Sequence, residues 1–359
     1  MFALSVNLSE LGSGGNMRRY LPLLWISFFL VILTITGTTY LVGYAGKDNK
    51  NALTSINVYT TLPVEEVAVL AQEYEKSAKV KVNITPLNEK ELFNRLIDEA
   101  ASPQADLILT NRRMLKQARN SALLIPYQSE YTDIIPSKFQ DTDGYWVGIW
   151  YDPIVFAVNQ DYFNSVTKKP AKWSDLSADT NLRLGMTDFI AADAAANLLY
   201  TLVAANGEEQ TLNFLKKIHP HIVQYAKFLA TPARMASMGE VDIAVAVRSE
   251  TMRYEKDGFP VKIIYPEDGT AYLLTGTGLI RGAAHATEAK RFIDWLTQAE
   301  PQTIMAQHKF YFLPTNPELR TNLDNSAKNI KLLDHHDMYT IEQQRKLLDK
   351  WVQARLGIN

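Results

Sequence analysis

The side chains of this sequence that could carry chemistry are few and dispersed. It has no cysteine, which excludes a thiolate metal site, a cysteine nucleophile and a lipidated cysteine anchor. His219 and His221 flank a proline, and Asp334, His335, His336 and Asp337 fall in a polar tail. The first spacing reads as a turn and the second as solvated surface, so no metal is implied. Gly276-Thr277-Gly278 lacks the third glycine and the strand-to-helix context of a dinucleotide loop, and no Ser/His/Asp order is recognisable. Polar groups at the ends of apolar runs are more informative. Thr60 and Thr61 end one such run and precede a helical pattern, Asn111 ends another, and Thr187 and Asp188 lead toward a helix starting near Asp193. Hydroxyls and free N–H groups at a helix start can hold an anion, although the same residues serve as plain caps. Trp150 and Tyr151 lie in a long aromatic run and Tyr272 opens a second one; they would either line a crevice or pack a hinge. Glu250 could take a ligand amine or pair with Arg248 or Arg253.

The elements that must position these groups alternate. Residues 56–59 read as a strand, Pro63 suits the first turn of a helix, and Val64, Val67, Ala68, Ala71 and Tyr74 mark its buried stripe. Residues 80–85 form a second strand. Asn88 and Glu91 make a capping box for the next helix, and residues 105–109 a third strand. This order predicts a mostly parallel sheet covered by helices. Residues 145–159 are apolar and β-prone for longer than an ordinary strand of about five or six residues, as expected of a strand passing between two lobes; a hairpin bent at Asp152-Pro153 is the competing reading. A second α/β unit follows, with strands at 183–187, 222–227, 243–247 and 261–264 and helices at 193–205 and 209–218. Residues 272–281 read as the return crossing, and residues 340–356 as a helix in a polar tail. The expected class is therefore α/β, with lobe 1 at 55–152, lobe 2 at 153–274, the return part of lobe 1 at 275–316 and a helical tail at 317–359. Ligands in such sheets bind at the carboxyl ends of the strands, here in a crevice between lobes.

The chain of 359 residues carries a net charge of −2, which argues against a nucleic-acid partner because that trade needs a basic surface. Arg18 and Arg19 precede an uncharged stretch, residues 20–43, about the length that crosses a bilayer. Two readings stay open: an uncleaved membrane anchor, or a signal peptide cut after Gly43-Tyr44-Ala45. Both leave residues 1–46 as a cytoplasmic tip plus leader or anchor, 47–54 as a linker, and the rest outside the cytoplasmic membrane. Met17 is an alternative start.

Six segments in order resemble the type 2 periplasmic binding proteins, in the group serving ferric iron, thiamine and phosphonate: Val58-Tyr59-Thr60-Thr61, Ala105-Asp106-Leu107-Ile108-Leu109-Thr110, Trp146-Val147-Gly148 with residues 154–159, Pro170-Ala171-Lys172-Trp173-Ser174-Asp175-Leu176, Met238-Gly239-Glu240-Val241-Asp242-Ile243-Ala244, and Glu288-Ala289-Lys290-Arg291-Phe292-Ile293-Asp294-Trp295-Leu296. The resemblance covers roughly residues 55–315. It implies the two-lobed fold, a monomer without cofactor or catalysis, and solute capture for an ABC permease and its ATPase. A membrane-anchored sensor is the rival role, and ferric iron binding by the same fold the rival ligand. The resemblance also implies a ligand contact near Asn111. Iron-binding members carry adjacent tyrosines after the "G-E-V-D" strand, where this chain has Val247-Arg248-Ser249-Glu250. An arginine there repels ferric iron and suits phosphonate, phosphate or carboxylate, which it can hold with two parallel hydrogen bonds. The ligand set implied is Thr60, Thr61, Asn111, Trp150, Tyr151, Asp188, Arg248, Glu250 and Tyr272.

Overall fold

The computed structural model describes residues 54–320, 327, 329–333 and 338–357; the apolar leader or anchor, most of the 47–54 linker and the 334–337 histidine pair lie outside them. No described helix is long and apolar enough to cross a membrane.

The first half is built on β1 (Ser55–Thr60), β2 (Lys81–Pro86) and β3 (Leu107–Asn111), all parallel. Helix α1 (Val64–Ala78) follows β1, α2 (Glu89–Asp98) follows β2, and α3 (Arg112–Asn120) follows β3. The capping box read from Asn88 and Glu91 is present at the start of α2. After the two-residue β4 (Leu124–Ile125) comes β5 (Val147–Asn159), thirteen residues long and buried throughout. It does not turn at Pro153, so the hairpin reading fails. No side chain of this run is water-facing, and a proline costs a strand only one ladder donor.

The second half holds β6 (Leu184–Thr187), α4 (Asp193–Asn206), α5 (Glu208–Ile218), β7 (Ile222–Ala226), α6 (Ala230–Ser237), β8 (Ile243–Val247), α7 (Arg248–Lys256) and β9 (Val261–Ile264). The chain then returns through residues 265–271 to β10 (Tyr272–Ile280), α8 (Ala286–Leu296), α9 (Ala299–Gln307) and β11 (Leu313–Pro314), and ends in α10 (Ile341–Leu356). β10 pairs antiparallel with β3 and with Val147–Pro153 of β5, so it lies in the first sheet and the loop before it makes the return. The strand order is β2-β1-β3-β10-β5-β8-β6-β7.

β5 joins the two halves. Its first part pairs with β10 and β11, and its second part, from Ile154, with β8 and β9. Each half has its own core. Leu70, Leu107, Phe139, Trp150 and Phe292 belong to the first, and Phe156, Leu199, Phe189 and Trp351 to the second; a smaller cluster around Met235 and Ala244 covers the other face of the second sheet. The result is two lobes joined by β5 and the 265–271 loop.

Candidate functional site

Strand direction locates the crevice. β1 and β3 run parallel to each other and antiparallel to β10, which is antiparallel to β5. Their carboxyl ends therefore point the way β5 runs, toward lobe 2. β8 runs antiparallel to β5, with Val247 opposite Ile154, and β6 is parallel to β8. The carboxyl ends of β6 and β8 therefore point back toward lobe 1. The starts of α1, α3, α4 and α7 thus face the hinge from the two sides, the place where strand-end loops of α/β sheets offer ligand contacts.

The hinge itself is Asp152. It is fully enclosed, accepting from the Ser249 backbone N–H at 2.9 Å and from Ser249 Oγ at 2.5 Å. Burial pushes its carboxyl up to about 6, against the opposing pull of the Ser249 bonds and the Arg248 charge. Glu66, in the first turn of α1, faces it from lobe 1. Burial, reinforced by the like charges of Asp152, Glu250 and Glu65, raises Glu66 to about 7. Burial also raises Glu250, and Arg253 works against this. A carboxylate from each lobe therefore converges on the hinge.

Arg248 opens α7 and is only 5% exposed. Its Nε donates to Tyr265 Oη at 2.7 Å and its Nη1 to the Tyr311 carbonyl at 2.6 Å. Among the described residues no carboxylate lies within ion-pair distance of it, and Nη2 has no hydrogen-bond acceptor. Tyr151, beside it, is raised by burial, while the charges of Arg320 and Arg248 hold it down. Arg320 lies 5.7 Å over the Tyr151 ring and Arg112 5.7 Å over the Tyr272 ring. Positive charge therefore surrounds the buried hinge aromatics.

The other expected residues divide by environment. Trp150, Tyr151 and Tyr272 are at most 1% exposed and pack the hinge: Trp150 stacks on Phe312 at 5.6 Å, Tyr151 on Phe139 at 4.9 Å, and Tyr272 stands edge-on to Tyr151 at 6.0 Å. Thr60 is fully buried, donating to the Leu109 carbonyl at 2.7 Å, and the Thr61 hydroxyl meets that of Thr110 at 2.6 Å. Asn111 caps α3, accepting from the Met114 N–H at 3.0 Å and donating to Glu89 Oε1 at 2.6 Å. Asp188 pairs with Arg355 at 2.7 Å, and Glu250 with Arg253. Arg248, Glu250 and Tyr151 are thus brought together at the hinge, whereas Asp188 is tied to the last helix.

Glu66, Asp152 and Ser249 escaped sequence reasoning. Asp152 carried one usable signal, an acid inside a run of buried residues. Among the described residues no group of three or more His, Asp or Glu is placed to hold a metal ion.

Comparison with known proteins agrees with this architecture. The family described as "Bacterial extracellular solute-binding protein" matches residues 69–332. A Sinorhizobium fredii protein named "Probable ABC transporter periplasmic-binding protein" is 25% identical over 311 residues, covering 83% of this chain and 85% of its own. The Fe(3+)-binding periplasmic protein of Serratia marcescens is 24% identical over 248 residues, 65% of this chain and 70% of its own. The structure of the periplasmic binding protein AfuA from Actinobacillus pleuropneumoniae, with fructose-6-phosphate bound, superposes with a TM-score of 0.68 at 24% identity, covering 85% of this chain and 99% of that one. With two lobes, a crossing strand, a hinge crevice and a family match over most of its length, the chain belongs to the bacterial extracellular solute-binding proteins.

Proposed function

We propose that this chain is the solute-binding component of an ABC importer and that its solute is a small oxyanion, phosphate- or phosphonate-like. The solute enters the crevice, lobe 2 swings about β5 and the 265–271 loop, and the loaded clamp docks on a membrane permease served by its ATPase. No covalent bond changes.

The observation that carries the reading is Arg248. A nearly buried guanidinium, oriented by Tyr265 and Tyr311 and near the Asp152 carboxyl but with no carboxylate at ion-pair distance among the described residues, gains from an anion that offsets its desolvation. Its planar fork suits the oxygens of a phosphoryl or phosphonyl group. The same charge, standing beside Ser249, opposes ferric iron.

Thermal unfolding of the full chain with inorganic phosphate, methylphosphonate, fructose 6-phosphate, citrate and ferric ion tests this. A ligand at 100 times its dissociation constant stabilises the fold by about 2.7 kcal/mol. The expected result is a shift with a phosphoryl or phosphonyl compound that disappears in Arg248→Ala. A shift with ferric ion alone would sink the oxyanion reading.

A further inference from the structure

Asp188 immediately follows Thr187, the last residue of β6, whose carboxyl end points toward lobe 1. An acid here would repel an anion. The structure ties it down from several directions. Its N–H donates to the Ala226 carbonyl at 2.9 Å, and its Oδ1 accepts from the Ile190 N–H at 3.2 Å. Its Oδ2 lies 2.7 Å from Nη1 of Arg355, and both side chains are mostly covered, at 16% and 20% exposed.

Arg355 belongs to α10, which lies beyond the segment matched by the family, residues 69–332. That helix is held in place independently of the ion pair. Thr340 caps it through a capping box. Trp351 is fully buried and meets Phe189 at 5.5 Å and Tyr225 at 6.1 Å; Lys350 pairs with Glu208. The Arg355 guanidinium itself lies 5.1 Å over the Tyr225 ring, and Tyr225 is on β7, the strand beside β6.

We propose that Arg355 is a positioning residue for the solute site: it turns the Asp188 carboxylate toward α10 and neutralises it, so that the lobe-2 wall accepts an anion. This assignment rests on the oxyanion reading above. An unshielded carboxylate about 10 Å from a bound anion, in a dielectric between protein surface and water, weakens binding by a factor of roughly two to ten.

Calorimetric titration of the full chain with inorganic phosphate, methylphosphonate and fructose 6-phosphate, at low and high salt, tests it. Arg355→Ala is expected to weaken binding of whichever probe binds by that factor, more at low salt than at high. Arg355→Lys keeps most of the affinity. The double variant Arg355→Ala with Asp188→Asn regains it, because no carboxylate is left to shield and the amide oxygen still accepts from Ile190. Unchanged affinity in Arg355→Ala overturns the assignment. So does a double variant as weak as Arg355→Ala, since the loss would then come from α10 packing alone. A wild-type chain that binds none of the three probes overturns the oxyanion reading itself, which separates the two failures.

Discussion

Glu66 shows how a residue's chemistry here is set by what faces it. Its carboxyl is lifted from an ordinary 4.5 to about 7, first by burial and then by the charges of Asp152 and Glu250. A group whose folded pKa is raised contributes stability that is fully present below its unfolded pKa and is lost as pH rises through its folded pKa. For Glu66 that window runs from 4.5 to about 7, and for Asp152 from 3.8 to about 6. Acidification through these windows therefore favours the folded state at this cluster. Glu66→Gln, which removes one charge without changing the shape, should melt higher than wild type at about pH 8, with the gap closing toward pH 5. Melting curves of both chains across that range decide the point, and a gap independent of pH would show that Glu66 is not under electrostatic pressure. None of this was legible in the sequence. The three acids are Glu66, Asp152 and Glu250, and only the folded hinge brings them together.

At the scale of elements, much of the architecture could be read in advance because local pattern and burial agree. Val67, Ala71 and Tyr74 of the expected stripe of α1 are buried, joined by Leu70, whereas Val64 in the first turn is exposed because no element packs over the helix start. β5 stood out by its length alone. β8 and β9 fall where their apolar runs place them. Helix α10 is different. Its polar composition reads as a solvated tail, yet Leu347 and Trp351, four residues apart, enter the core of lobe 2. A stripe of two buried positions is too narrow to separate a docked helix from a solvated one. Trp351, fully buried against Phe189, gives the element its hold. Trp351→Ala should cost about 3–5 kcal/mol, the range for deleting a large aromatic from a core. Urea unfolding followed by tryptophan-independent circular dichroism measures it. A loss within experimental error would mean that α10 rests on lobe 2 without stabilising it.

For the whole molecule, the decisive feature is that one side chain, Arg248, ties the lobes and is the group proposed above to hold the solute. Two ties connect the 309–311 segment to α7 and to Asp257, the residue that follows it. Lys309 reaches Asp257 at 2.7 Å and Arg248 reaches the Tyr311 carbonyl at 2.6 Å. Phe310 and Phe312 on either side of Tyr311 pack on the first core, so both ties cross from lobe 1 to lobe 2. They differ in worth. The lysine pair is exposed and screened by salt, and such pairs contribute little. The arginine tie is nearly buried, and a hydrogen bond from a charged donor in a low-dielectric setting is among the stronger ones. Lobe contact should therefore depend on Arg248 and hardly on Asp257. Small-angle scattering of the full chain without ligand should give a larger radius of gyration for Arg248→Ala than for wild type, and no change for Asp257→Asn. Adding inorganic phosphate should compact wild type and Asp257→Asn but leave Arg248→Ala extended, since the variant has lost both the tie and the anion's partner. If Arg248→Ala instead scatters like wild type before phosphate and compacts after it, the guanidinium neither links the lobes nor anchors the anion, and closure must be driven from the lobe-1 side of the crevice.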